Sequence, residues 1–394
     1  MIATTRRAAL LGGLALPFVA RAQDAEPIRL GTLTPLTGAG GLYGPSMVKT
    51  VRAVVDAVNA AGGVGGRRVT LVSEDSETNP DAGVRAARKL IDVDKVAAII
   101  GTWASAVTTA VAPLAWESRT MLFTVSGADS ITKLPHNGYI IRTQPNTALQ
   151  SMRAAQYLAQ AGAKRVFALS AQTPFAVDSY NRLAEVLQQR GAEAVGDVVY
   201  DAAKTSFRSE IDQALRAKPD WLFLNGYTPD VTVIMRELYQ AGYDGGRFTF
   251  GYAGNAKLLS SLPKDVTEGL VTFSPSPDID NPAFAAVKTI LGSDNPDTYS
   301  CQTYDHATLA LLAVAKAGAA SGQAIHDAIR QISQGDGAMV ASAVDGIKAL
   351  KSGKAVNYDG ASGPCDFLDS GDISGAKFRF EQVRGGKPVL LSIS

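Results

Sequence analysis

Residues 99–115, IIGTWASAVTTAVAPLA, decide how this chain folds. With Ala97 and Ala98 before it, the stretch begins as an apolar, β-branched run that stops at Gly101. Four residues later Ser105 opens a run of Ala, Val and Thr that reads as a helix. A strand that passes into a helix across one glycine is the repeating unit of an open α/β sheet. The junction places Thr102, Trp103 and Ser105 at the carboxyl end of the strand, where such sheets hold ligands. The helix N-terminus carries unpaired N–H groups and roughly half a positive charge, so a carboxylate is its natural guest. Ser105 either caps that helix or adds a hydroxyl donor to the guest.

Reading outward, the same alternation fills both flanks. IRLGTLT (28–34), RVTLVSED (68–75), VAAII (96–100) and TMLFTVS (120–126) read as strands. Between them, SMVKTVRAVVDAVNAAGG (46–63), PDAGVRAARKLIDV (80–93) and SAVTTAVAPLA (105–115) read as helices, the first stopped by Gly62-Gly63. Near-continuous apolar strands separated by helices predict a parallel sheet covered on both faces. The pattern restarts after residue 145. RVFALS, AEAVGDVVY, DWLFLNG and RFTFGY are strands, separated by helices, so a second α/β unit follows the first. The tail differs, because the helices at 303–318 and 322–333 have no strand between them. Short β segments, GPCDFLD, AKFRFEQV and PVLLSI, end the chain. The late helices are expected to return to the first unit and the last strands to cross to the second. That gives a hinge of several crossings. The fold class is therefore α/β, with two doubly wound parallel-sheet lobes. Lobe 1 is expected over 23–144 and 277–374, and lobe 2 over 145–276 and 375–394.

The N-terminus reads as a targeting segment. Arg6 and Arg7 precede an apolar stretch at 8–20, followed by Ala20-Arg21-Ala22. This is the pattern of a signal peptide cleaved near Ala22, with either ordinary or twin-arginine export. The mature chain is then expected to be periplasmic and free in solution. Removal of Arg6, Arg7 and Arg21 takes the net charge from +1 to −2. Lys and Arg are scattered and form no basic stripe, so nucleic acid is not an expected partner. Two cysteines, Cys301 and Cys365, are either bridged, as suits an exported chain, or separate buried thiols.

Motifs of catalysis are missing. The three histidines, His136, His306 and His326, are isolated, and no HExxH, CxxC or GxSxG is present. The sequence thus predicts neither an enzyme nor a metal site, and no cofactor. Binding is better supported. The strand ending FTVS leads into Gly127-Ala128-Asp129-Ser130, a second strand end rich in small donors beside that of Ser105. Ser105, the Ala128 N–H and Ser130 together make a cradle of neutral donors for a carboxylate. Asp129, inside that segment, is expected to point away and to cap the helix of SITKL.

With these residues in view, the chain resembles the periplasmic solute-binding proteins of the leucine/isoleucine/valine-binding type, the type I receptors of ABC transporters. The likeness runs from IRLGTLTPLTGAGGLYGPSMVKTVRAVVDAVNAAGGVGGRRVTLVSED through VAAIIGTWASAVTTAVAPLA and FTVSGADSIT to PDWLFLNGYTPDVTVIMRELYQAG and YDGASGPCDFLDSGD. The resemblance implies two lobes joined by three crossings that close over a small solute for permease subunits in the membrane. It implies a monomer, and a ligand carboxylate held at Ser105, Ala128 and Ser130. It places Tyr43, Trp103, Phe175, Tyr227 and Tyr252 around the rest of the ligand. One departure stands out. Where amino-acid receptors of this type carry an acid against the ligand ammonium, this chain has Ala253, with Asp230 and Asp178 the nearest substitutes by motif. An aromatic or aliphatic acid, or an amide, therefore suits the site better than a zwitterion. A sensing subunit of a signalling complex is the alternative role.

Overall fold

The computed structural model describes residues 26–394. The expected signal peptide lies outside the described residues. The chain begins with β1 (Ile28–Thr34), α1 (Gly44–Ala60), β2 (Val69–Asp75), α2 (Pro80–Arg88), β3 (Ala98–Thr102), α3 (Ser105–Glu117), β4 (Met121–Thr124) and β5 (Ile140–Arg142). Next come α4 (Thr147–Gln160), β6 (Arg165–Ala171), α5 (Pro174–Gln189), β7 (Glu193–Tyr200), α6 (Arg208–Arg216), β8 (Trp221–Asn225), α7 (Thr228–Gln240), β9 (Gly246–Phe250), α8 (Ala256–Ser261), α9 (Lys264–Thr267) and β10 (Val271–Pro275). The remainder is α10 (Pro282–Leu291), α11 (Thr298–Ala317), α12 (Gly322–Ser333), β11 (Ala338–Val340), α13 (Ala343–Lys351), β12 (Val356–Gly360), β13 (Gly363–Pro364), β14 (Phe378–Arg384) and β15 (Lys387–Ile393).

Two large sheets result. The first has strand order β2-β1-β3-β4-β5, all parallel. The second runs β7-β6-β8-β9-β10 and repeats that order, then adds β14 and β15. Its last two strands are antiparallel, so this sheet is mixed and not wholly parallel as the sequence predicted. The chain reaches β14 from the other lobe and not through a crossover helix on this sheet, so β14 lies antiparallel to β10, and β15 folds back on it as a hairpin about Gly385-Gly386. In each sheet the order reverses at one point, between β1 and β3 and between β6 and β8. Ligand crevices form at such switch points, beyond the carboxyl ends of the strands.

The chain passes between the sheets three times, after β5, after β10 and before β14. Between the second and third passages α10–α13 pack on the first sheet. Phe284, Leu309, Leu312 and Ile329 from this region share one core with Ile28, Val51 and Val54 of β1 and α1. A small third sheet, β11-β12-β13, sits among those helices. The GPCDFLD strand shrinks to β13, because only Gly363 and Pro364 find partners on β12.

The cysteines are not bridged. Cys301, on α11, and Cys365, after β13, are both free and fully buried in the lobe 1 core. Burial first, and then the Asp305 carboxylate, push both thiols far above the usual range, which makes them inert core residues. Among the described residues no single helix is long and apolar enough to cross a membrane.

Candidate functional site

The two switch points face one another. From lobe 1, the loop after β1 brings Tyr43, the end of β3 brings Trp103 and Ser105, and the end of β4 brings the segment 125–130. From lobe 2, the ends of β6, β8 and β9 bring Phe175, Tyr227 and Tyr252. The β3 end turns sharply because Gly101 adopts φ 96°, and the β3–β4 register shifts there. A Cβ at Gly101 would stand 2.8 Å from the Thr34 methyl, so glycine is required twice over.

Ser105 is the first residue of α3, and the cap position is Ala104, which offers no side-chain bond. The Ser105 hydroxyl is therefore free of capping. It lies 3.2 Å from the Ala128 N–H, which donates to it, so two of the three expected donors meet. Ser130 stands apart. Its N–H donates to the Asp178 carboxylate of α5 in the opposite lobe (3.2 Å), and its own hydroxyl is buried without a partner. Asp129 points away from the cradle, as expected, but does not cap the SITKL turn. It accepts from the Ala148 N–H at the start of α4 and from Arg182 of α5 at 3.1 Å. Burial alone would raise its pKa; the bonds from α4 and from the guanidinium outweigh this and hold it below the usual range.

A fully buried arginine fixes the cradle from behind. Arg142, the last residue of β5, donates through Nε to Asp372 (2.5 Å) and through Nη1 to the carbonyls of Ser126 (3.2 Å) and Ala128 (2.7 Å). The arginine thereby fixes the backbone of the segment whose Ala128 N–H meets the Ser105 hydroxyl. The sequence reading passed over Arg142, although a charge inside the apolar run YII-R-TQ is the signal that marks it.

Aromatic rings make up the rest. Trp103 is the hub: its ring centroid lies 5.7 Å from Tyr43, 5.6 Å from Tyr227, and 5.8 Å from both Tyr252 and Tyr299. Phe175 packs edge-on to Tyr252 at 6.0 Å and to Phe250 at 5.0 Å. The Tyr43 hydroxyl donates across the cleft to the Tyr252 carbonyl (2.9 Å) and accepts from Asn255 (3.0 Å). The lobes are thus shut on one another. Beside Ser105 the rings leave a cavity of about 30 Å³, room for a water or two. Trp103, Phe175, Tyr227 and Tyr252 line it with Gln144 and Tyr299, two residues the sequence reading missed. Among the described residues no charged side chain lines it. Ala253 does not reach it: this residue is fully buried in the lobe 2 core behind Tyr252. Asp230 is turned inward, accepting from the Tyr200 hydroxyl at 2.7 Å, and burial pushes its pKa up to about 6.

Comparison with known proteins agrees with this architecture. The sequence pattern of the periplasmic binding protein family matches residues 27–387. The chemotactic signal transduction system substrate-binding protein BasB of Halobacterium salinarum is 27% identical over 357 residues, which cover 86% of this chain and 83% of BasB. The crystal structure of a leucine binding protein, LivK, from Thermotoga maritima superposes with a TM-score of 0.79 at 22% identity, covering 93% of this chain and 98% of that one. A solute binding protein of an ABC transporter from R. palustris, in complex with benzoate, superposes with a TM-score of 0.75 at 19% identity, covering 93% and 96%. With the family pattern running through both sheets and the helices between them, the chain belongs to the periplasmic binding protein family, and is a solute-binding protein and not an enzyme.

Proposed function

We propose that this chain is the extracytoplasmic solute-binding component of an ABC importer and takes a small carboxylate with an uncharged, aromatic body. The observation that carries the reading is the chemistry of the cleft wall. Two neutral donors, the Ser105 hydroxyl and the Ala128 N–H, meet at the start of α3 in a wall of rings without a charged side chain. An anionic head group gains from the helix N-terminus and from neutral donors. An ammonium on the same molecule would be buried without an anionic partner, at a cost of several kcal/mol. Asp230 is engaged with Tyr200, and Asp178 stands at the rim against Ser130.

Capture proceeds by hinge closure. Tyr43 and Trp103 belong to lobe 1, and Phe175, Tyr227 and Tyr252 to lobe 2, so parting the lobes breaks the ring cluster and makes room. A planar solute then takes the place of ring–ring contacts, and closure around it shifts the population to the shut state. The benzoate complex of a structural relative supports this solute class. On this reading the chain is exported, cleaved near Ala22, and works as a monomer with membrane permease subunits. Calorimetry and thermal melting with benzoate, 3-phenylpropanoate, a branched aliphatic acid, an amide and L-leucine test it. Micromolar binding of the aromatic acids is expected. Micromolar binding of L-leucine with none of the aromatic acids would overturn the solute class.

The likeness to BasB favours a second role for the same site, solute sensing in a chemotactic complex. Deleting the gene distinguishes the two: loss of solute uptake marks the importer, and loss of the behavioural response alone marks the sensor.

A further inference from the structure

Most of the open space between the lobes is not at Ser105 but on the hinge side of the ring cluster. There a chamber of about 320 Å³ is walled by Tyr43, Phe250 and Asn255 together with Asp297, Arg379 and Glu381. Three side chains, Gln144, Tyr252 and Tyr299, line both this chamber and the small cavity beside Ser105, and so form the partition between them. The partition has parts from both lobes: Tyr252 follows β9, whereas Gln144 follows β5 and Tyr299 lies on α11. It exists only while the lobes are shut without a solute through it. When they part, Tyr252 leaves with lobe 2, and the carboxylate cradle and the chamber become one elongated site.

The chemistry of the far end is different from that of the cradle. Among the described residues its charged walls are one cation and two acids. Arg379 is already neutralised: Nη2 donates to Glu381 at 2.6 Å, and Nη1 reaches across to the Asn295 side chain of lobe 1 at 2.9 Å. Asp297 is the acid left without a cation; burial raises its pKa, and the bonds it accepts from Ser300 and Ser46 work against that rise. It caps α11 by accepting from the Ser300 N–H (2.9 Å) and hydroxyl (2.6 Å), and also accepts from Ser46 (3.3 Å). The far end therefore holds an acid with no cation of its own and several acceptor oxygens, whereas the near end presents the Ser105 hydroxyl and the Ala128 N–H and has no acid. A second carboxylate there would be repelled, and a hydrogen-bond donor would be welcomed.

We infer that the cognate solute is two-ended: a carboxylate at Ser105 and Ala128, an aromatic spacer through the gap now closed by Gln144, Tyr252 and Tyr299, and an uncharged donor such as a phenolic hydroxyl in the chamber beside Asp297 and Glu381. This rests on the proposed solute class and adds length and polarity to it. The near end of the solute then rests on lobe 1 alone, and the far end lies between Asp297 of lobe 1 and Glu381 of lobe 2, which ties closure to a molecule of the right span.

Three probes that differ only at the para position test it by calorimetry on the mature chain: 3-phenylpropanoate, 3-(4-hydroxyphenyl)propanoate and 3-(4-carboxyphenyl)propanoate. The hydroxylated probe is expected to bind about tenfold more tightly than the unsubstituted one, as a charge-assisted hydrogen bond allows, and the dicarboxylate more weakly than either. In Asp297→Asn, which keeps a good helix cap, the dicarboxylate should recover relative to the unsubstituted probe and the hydroxyl preference should shrink. Equal affinities for the three probes, tightest binding of the dicarboxylate, or an unchanged ranking in Asp297→Asn would overturn the two-ended solute while leaving the carboxylate cradle standing. Absence of binding by all three probes and by benzoate would remove both proposals.

Discussion

Ser105 is the residue on which the carboxylate reading turns. It sits at the first position of α3 with its hydroxyl uncommitted to capping, 3.2 Å from the Ala128 N–H. Removing that hydroxyl takes one donor from an anion without opening a core cavity, because the oxygen faces the cleft. Ser105→Ala is therefore expected to weaken benzoate or 3-phenylpropanoate by about 1.5 kcal/mol, roughly tenfold in Kd by calorimetry, with a modest drop in melting temperature as the buried Ala128 N–H loses its acceptor. An unchanged Kd would take Ser105 out of the site. The residue could be found from sequence because the strand–glycine–helix junction places it; Trp103 and Tyr43 were legible for the same reason, each ending a loop that follows a strand. Arg142, Gln144 and Tyr299 were not, because their roles come from tertiary contact: Arg142 acts through carbonyls 14 and 16 residues away, and Gln144 is fixed by Gln302 across 158 residues. Ala253 illustrates the opposite error. Its motif position was legible, but one residue of offset along the turn after β9 sends Tyr252 to the cleft and Ala253 to the core.

Among the elements, α11 shows what a purely periodic reading captures and what it misses. Its pattern identified a helix over 303–318, and sixteen of its residues are buried, all round the cylinder. The short elements were passed over: β5 is three residues with a charge at its end, β11 is also three, and β10, α10 and α13 carry mixed patterns whose partners lie far off in sequence. Full burial of α11 has a consequence for His306. Its Nε2 pairs with the Thr143 hydroxyl at 2.9 Å on the first crossing, its Nδ1 has no partner, and burial pushes its pKa from 6.5 down to about 3. The unfolded chain takes up a proton near pH 6.5 and the folded chain only near 3, so folding stability falls as pH drops through that window. Asp230 and Asp305 act in the reverse sense, since burial raises both to about 6 and their cost appears as pH rises toward that value. The difference between wild type and His306→Gln isolates the histidine: the gap in melting temperature should narrow steadily from pH 7 to pH 4. Parallel curves would mean that His306 does not titrate as its burial demands.

For the whole molecule, the decisive contacts are those that exist only when the lobes are shut. Some are polar and partly exposed, such as Arg182 with Asp129 and Asp178 with the Ser130 N–H, and exposed pairs of this kind contribute little each. Others are steric. Gly127 of lobe 1 faces Phe175 and Gln150 of lobe 2 so closely that a Cβ there would stand 2.5 Å from the Phe175 ring and 2.9 Å from the Gln150 amide. The ring cannot swing freely aside, because it is wedged against Phe250 and Tyr252. The three atoms nearest to that Cβ all belong to lobe 2, so Gly127→Ala is expected to penalise closure above all. Overpacking of this size costs about 1–3 kcal/mol, which moves the open–shut equilibrium by roughly five- to a hundredfold. The variant should therefore melt close to wild type, bind any cleft ligand more weakly by that factor, and show a larger radius of gyration in solution scattering at saturating wild-type ligand concentration. Affinity and radius both equal to wild type would mean that Phe175 yields to the methyl group, and that contact between these two residues does not limit how far the lobes shut.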